Sequence, residues 1–464
     1  MHFKDIPSDL MLILVDEYIL PDDIEAFSLS CRGVYHIADS RLRKHRELKE
    51  SFSELLVDLG NFSTGGEQWN KLYQCCSDPW TARYPKDLIF IAPSHESLTS
   101  YPAPINQAIG DMIRESAPFN RFISTEEIGD WSVSANATHD AMAAICLSFL
   151  PNLYTFKIKY EGDTTADWHY GRVTSVLRRT LDQGCTRACS GHLSQLTNVK
   201  LHASHRAAPL VEWFQLFLGL PSMRSIEGCN LFSLDGQEQS YTAATRDSKV
   251  TSMALDRCLI LALPFSTVLS RLESLEMFTY THLPNPHYCE PSIPELLGGE
   301  EPQRIVNTLI DHARDSLQIL QLSFLCKHCA GPIEYLKGFN SLKSIILSAS
   351  LLFRRDNTFV DLVELLPSTV EYLKVTLDHK SSQQNQQYEL LAALPRIREN
   401  FSGSLRYQTL SIFKRVDEIV RVPGIAPRFS QVVGRYTIHP GPGGALRSLK
   451  PDEVLEWMEC GEDF

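Results

Sequence analysis

Leu317-Gln-Ile-Leu320-Gln-Leu322 and Leu342-Lys-Ser-Ile345-Ile-Leu347 share the pattern apolar-x-x-apolar-x-apolar, and that pattern decides the fold. Its last three positions alternate, as a short strand with one buried face requires. The same pattern starts at Leu153, Leu196, Val250, Leu272 and Val370. A weaker copy starts at Met223, where Gly228 stands in the last apolar place. In chain order the starts lie 43, 27, 27, 22, 45, 25 and 28 residues apart. The two wide gaps are near double the others, so one repeating unit underlies the series. A unit of one strand and one helix cannot bury its apolar side alone, and stacking supplies the core.

Working outward, the segments between these strands read as helices. Pro209–Leu218 is strongly apolar, and Arg172–Leu181, Arg304–Ala313 and Thr358–Leu366 carry apolar residues at three- and four-residue spacing. Leu150-Pro151, Leu220-Pro221 and Leu366-Pro367 come just before strands, where proline turns the preceding residue away from helical geometry. The spacing and pattern resemble an irregular leucine-rich repeat, whose period is roughly 20–29 residues. The signature's later Asn or Cys is in register only in the unit from Val250, as Cys258-Leu-Ile260. A doubly wound sheet is the rival architecture, but no glycine fingerprint follows a strand.

The N-terminus follows a different rule. Pro7 suits a first helical turn, with Ser8 or Asp9 beside the free amides, and Leu10, Ile13, Leu14 and Tyr18 recur at helical spacing. A second helix is expected from Asp22, with Glu25 completing an approximate capping box. Ile24, Phe27 and Leu29 form its apolar surface, and Gly33 permits a turn after Cys31-Arg32. So short a pair buries little surface by itself, so a partner or the following domain must cover the rest.

Ile6-Pro7, Asp9, Asp23-Ile24 and Ser28-Leu-Ser-Cys31-Arg32 together resemble an F-box over about residues 3–45. The stretch Leu14–Ile19 is one residue longer than that family's pattern. The resemblance implies docking on a Skp-type adaptor, and through it on a cullin, in an SCF (Skp–cullin–F-box) ubiquitin ligase. It implies adaptor contacts from Ile6, Pro7, Leu10, Ile13, Leu14, Ile24 and Leu29, with Cys31 and Arg32 carried over from the motif. The rest of the chain would then be a non-catalytic receptor for a protein substrate. A protein-binding repeat scaffold outside any ligase is the alternative.

The expected fold class is therefore α/β: a small all-α hairpin over 1–50 and an irregular β/α solenoid over 149–425. Residues 51–148 read as a mixed, mainly helical linker or cap, with helices near Ile105–Ser116 and His139–Phe149. Residues 426–464 read as a tail ending in a short helix at Pro451–Trp457. Long loops are expected at Leu283–Pro302 and Ser381–Gln387.

Bulk chemistry narrows the function. A net charge of −12 over 464 residues argues against a nucleic-acid binder, which needs surplus Lys and Arg. The basic cluster Arg41, Arg43, Lys44, Arg46 and Lys49 is interleaved with Glu47, Glu50 and Glu54, as on a solvated helix face. No apolar run is long enough to span a bilayer, and Leu10–Val15 lacks the basic flank of a secretory signal. Twelve scattered cysteines then read as reduced thiols of a cytoplasmic or nuclear protein.

Cys326-Lys-His-Cys329 has metal-ligand spacing but no close second pair; Cys185, Cys189 and His192 are a distant candidate half. Gly441-Pro-Gly-Gly444 lacks the Lys-Ser/Thr of a phosphate loop. No catalytic motif is present, so neither cofactor nor metal is expected.

Overall fold

The computed structural model describes residues 6–19, 21, 23–30, 32–59, 66–92, 139–160, 171–183, 193–203, 210–233, 248–260, 266, 268–282, 301–324, 331–354, 358–378, 407–415 and 431–438. The chain is α/β and divides into two compact units, 1–232 with 241–249, and 233–240 with 250–464.

The first unit opens on helices. These are α1 (Ser8–Ile13), a π-helical turn Leu14–Tyr18, α2 (Ile24–Leu29) and α3 (Arg32–Phe52). The π turn falls on the stretch with one residue too many, and Ile19 N–H reaches back to the Leu14 carbonyl at 3.0 Å. A single wide turn is how a helix absorbs an insertion without breaking. Gly33 makes no turn; it lies inside α3, which runs to Phe52 and so outlasts the expected boundary at residue 50.

Five strands follow: β1 (Glu54–Asp58), β2 (Asp87–Ala92), β3 (Thr155–Tyr160), β4 (Asn198–Ala203) and β5 (Ser225–Cys229), each parallel to the next. Leu55, Leu88, Phe156, Val199 and Ile226 form one buried row in register. Strand stacking therefore starts at Glu54 rather than at residue 149. The segment Phe52-Ser-Glu-Leu55-Leu-Val57 already carries the repeat pattern, with Phe52 buried at the end of α3. Helices α4 (Glu67–Ser77), α5 (His139–Phe149), α6 (Gly171–Gln183) and α7 (Leu210–Leu218) supply the second layer. Phe217 of α7 meets Phe156 of β3 with ring centroids 5.8 Å apart.

The second unit holds β6 (Ser252–Asp256), β7 (Met277–His282), β8 (Ile319–Phe324), β9 (Ser344–Ser348), β10 (Tyr372–Asp378) and β11 (Tyr407–Arg415), all parallel. The last strand, β12 (Gln431–Ile438), pairs antiparallel with β11 inside what the sequence suggested was a tail. Among the described residues this unit has fewer helices than strands. It contains α8 (Glu301–Ala313), a 3-10 turn at Ala349–Leu352 and the short α9 (Leu362–Leu365). The helix expected over Thr358–Leu366 shrinks to α9 because Phe359 bridges back to Phe353 and Val360 N–H bonds the Leu352 carbonyl.

One hydrogen-bond motif sets the register in both units. The carbonyls of Ser53, Lys86, Tyr154 and Thr197 each accept two successive amides entering the next strand, at 2.7–3.2 Å. Those of Thr251, Glu276, Gln318 and Lys343 do the same at 2.8–3.0 Å. A one-residue slip would break each fork and turn the buried row to solvent. The motif also corrects one repeat. Glu276 holds the place that Gln318 holds after Leu317, so the unit starts at Leu275 and not Leu272. Phe278 and Tyr280 are the buried strand residues, while Met277 lies half-buried on the other face.

Residues 105–116, 185–192, 283–300, 325–330, 381–387 and 441–457 lie outside the described residues. With them lie the expected helices at Ile105–Ser116 and Pro451–Trp457, the body of both long loops, both cysteine pairs and the glycine-rich turn.

Candidate functional site

Six successive apolar side chains, Leu10 to Val15, crowd α1 and its π turn, and they divide between a buried and an outward stripe. Met11 and Val15, four residues apart, are buried; Leu10 and Ile13 are 52% and 44% exposed. Ile24 at 1% exposure joins Val15 and Leu42 in a small core, against which Ile19, Phe27, Tyr35 and Trp80 pack. The sequence stripe Leu10, Ile13, Leu14, Tyr18 is thus largely the outward one; Leu14 is half-buried and Tyr18 is 70% exposed.

Among the other expected contact residues, Pro7, Arg32 and Leu29 are exposed, Leu29 at 71%, and Ile6 is half-buried. Ile24 departs from expectation, because its side chain supports the hairpin from within and offers no surface. Cys31 lies outside the described residues. No side-chain cap forms at the start of α2, and Glu25 binds Arg46 of α3 instead, 3.2 Å away. That guanidinium holds the Glu25 carboxyl below its ordinary value.

The helices are braced on the same unit's own chain. Arg83 donates to the Ile19 carbonyl and lies 5.7 Å from the centre of the Trp80 ring. Lys44 approaches Asp78 at 3.9 Å, and buried His45 meets the Tyr84 hydroxyl at 3.1 Å. With Arg43 bound to Asp39 at 3.2 Å, the α3 cluster is an ion-paired surface and not a phosphate strip.

Among the described residues, three buried cysteines are held in the thiol form. Burial pushes the Cys75 thiol up to about 12 and those of Cys76 and Cys146 well upward, so all three stay protonated. No group of three potential metal ligands occurs among the described residues. Among those residues, no helix is long and apolar enough to cross a membrane. Cys258, the one residue in the repeat's Asn/Cys place, is buried, and its amide bonds the Thr281 carbonyl at 3.0 Å.

His282 is the buried titratable group with the clearest consequence. Tyr280 hydroxyl donates to the Cys258 carbonyl at 3.0 Å, so it accepts from His282 Nδ1, also at 3.0 Å. This fixes the tautomer and leaves Nε2 with no hydrogen-bond partner, while the ring stacks on Phe324 at 4.9 Å. Burial lowers its pKa from 6.5 to about 4. A depressed histidine pKa favours the neutral folded form, so its contribution is intact above pH 6.5 and declines as pH falls towards 4. His282→Phe should therefore flatten the loss of thermal stability across that window; an unchanged slope would rule His282 out as its source.

No protein-family model and no curated protein sequence matches the chain.

Proposed function

We propose that this chain is the substrate-recognition subunit of an SCF-type E3 ubiquitin ligase. Its N-terminal helices grip a Skp-type adaptor, and through it a cullin. Its stacked strands, read as an irregular leucine-rich-repeat solenoid, hold a protein target. Catalysis is by proximity, with the ligase's other subunits supplying the chemistry.

One observation carries the reading. The hairpin has a buried stripe, Met11 and Val15, and also leaves Leu10, Ile13 and Leu29 outward on helices of six residues each. Leucine at 71% exposure gains nothing for the fold, whereas such side chains anchor interfaces when a partner desolvates them. The F-box resemblance supplies the partner's identity.

The bracing by Trp80, Arg83 and Asp78 favours the other reading, a repeat scaffold whose first helices are part of its own core. The two readings separate on one measurement. The full chain should co-elute with a purified Skp-type adaptor in size-exclusion chromatography. Separate elution at micromolar concentrations would leave only the scaffold.

A further inference from the structure

Tyr18 closes the π turn and is 70% exposed, a position that ordinary helical pitch would not give it. An α-helix advances about 100° per residue, so with Leu10 at the origin Leu14 falls at about 40°, Met11 at about 100° and Val15 at about 140°. Residue 18 of an unbroken α-helix would fall at about 80°, close to Met11 and so on the buried side. Instead the Ile19 N–H bonds the Leu14 carbonyl, five residues back, at 3.0 Å. A turn of that width advances less per residue, so over its span Tyr18 drops back towards Leu14 and Leu10. The extra residue is absorbed in a way that keeps the ring in the outward stripe.

That stripe is where uncovered apolar surface gathers. Leu10, Ile13, Tyr18 and Leu29 make up half of the eight large apolar side chains that stand exposed among the described residues; the other four are spread from Tyr73 to Tyr335. Clustered exposure of this kind marks an interaction surface, whereas scattered single residues need no explanation. π turns are themselves uncommon in helices and recur at functional sites.

We propose that Tyr18 is a further adaptor anchor, its ring held in the interface by the π turn and its hydroxyl left at the wet rim. The inference rests on the ligase reading. Its occupant is the adaptor because the ring continues the stripe of Leu10 and Ile13, which that reading gives to the adaptor. Tyrosine suits the edge of such a contact, since its apolar body can be desolvated while its polar tip keeps water. The hairpin's own fold has little use for a ring 70% exposed.

The test is calorimetric titration of the full chain with a purified Skp-type adaptor. Tyr18→Ala should weaken binding by about tenfold or more, and Tyr18→Phe, which keeps the ring, by no more than about threefold. Tyr335→Ala, which removes an exposed tyrosine of the second unit, should leave affinity unchanged. Thermal melts of all three should match the parent. In Tyr18→Ala the Ile19 amide should keep its protection from hydrogen exchange, because the π turn persists without the ring. Full affinity in Tyr18→Ala, an equal loss in Tyr18→Phe or in Tyr335→Ala, or lost protection at Ile19 would each overturn the proposal. If the parent binds and Tyr18→Ala binds as well, this inference falls alone; if the parent itself does not bind, the ligase reading falls and takes this inference with it.

Discussion

Leu10→Asp combined with Leu29→Lys should cost the chain its adaptor while leaving its fold intact. Both side chains stand more than half out of contact with the protein, so their loss opens no cavity. Each new charge also suits its position. An acid near the start of α1 and a base at the end of α2 complement the helix dipoles, so neither helix is weakened. Removing a central apolar anchor commonly costs about 2 kcal/mol or more of binding. Two such losses, with charges forced against an apolar partner, should weaken binding well over a hundredfold in calorimetric titration. The melting temperature should stay within about 1 °C of the parent, since surface changes of this kind fall within about 0.5 kcal/mol. Unchanged adaptor affinity in the double variant would remove these residues from the contact surface.

Ile24→Ala is the informative contrast. It removes packing from a core shared with Val15 and Leu42, so it should lower stability by about 2–4 kcal/mol and weaken binding only through loss of folded hairpin. From sequence, Ile24 and Leu29 look alike. Both are aliphatic residues of one short helix, and periodicity ranks them equally. What separates them is the crossing of α2 over α3, a tertiary fact.

The same limit explains which parts of the molecule are legible. Strand rows such as Leu320, Ile345 and Leu373 are readable because a period of two with aliphatic side chains has few competing explanations. In α1 that advantage vanishes: Leu10, Met11, Ile13, Leu14 and Val15 are all apolar, and no helical period can choose between the two stripes. β11 hides for the opposite reason. Register pairs Leu373 with Gln408, so a polar residue occupies the place that marks the pattern elsewhere.

The sharpest case is β7, where two readings differ by three residues and a pair of substitutions decides between them. Leu272-x-x-Leu275-x-Met277 and Leu275-x-x-Phe278-x-Tyr280 satisfy the same pattern. The first makes Met277 core and Phe278 surface; the folded chain has the reverse. Phe278 is fully buried, stacks near Tyr280 with centroids 6.4 Å apart, and sits in register between Met253 and Leu320. Phe278→Ala should therefore cost about 3–5 kcal/mol of stability, the usual penalty for emptying an aromatic site in a packed row. Met277 shares the open face with Thr279 and Thr281, so Met277→Ala should cost about 1 kcal/mol or less. Urea denaturation of the two variants, compared at their midpoints, measures both. A larger loss at 277 than at 278 would restore Leu272 as the origin of the unit. It would also contradict the forked hydrogen bonds at Glu276, since a strand displaced by an odd number of residues exchanges its two faces.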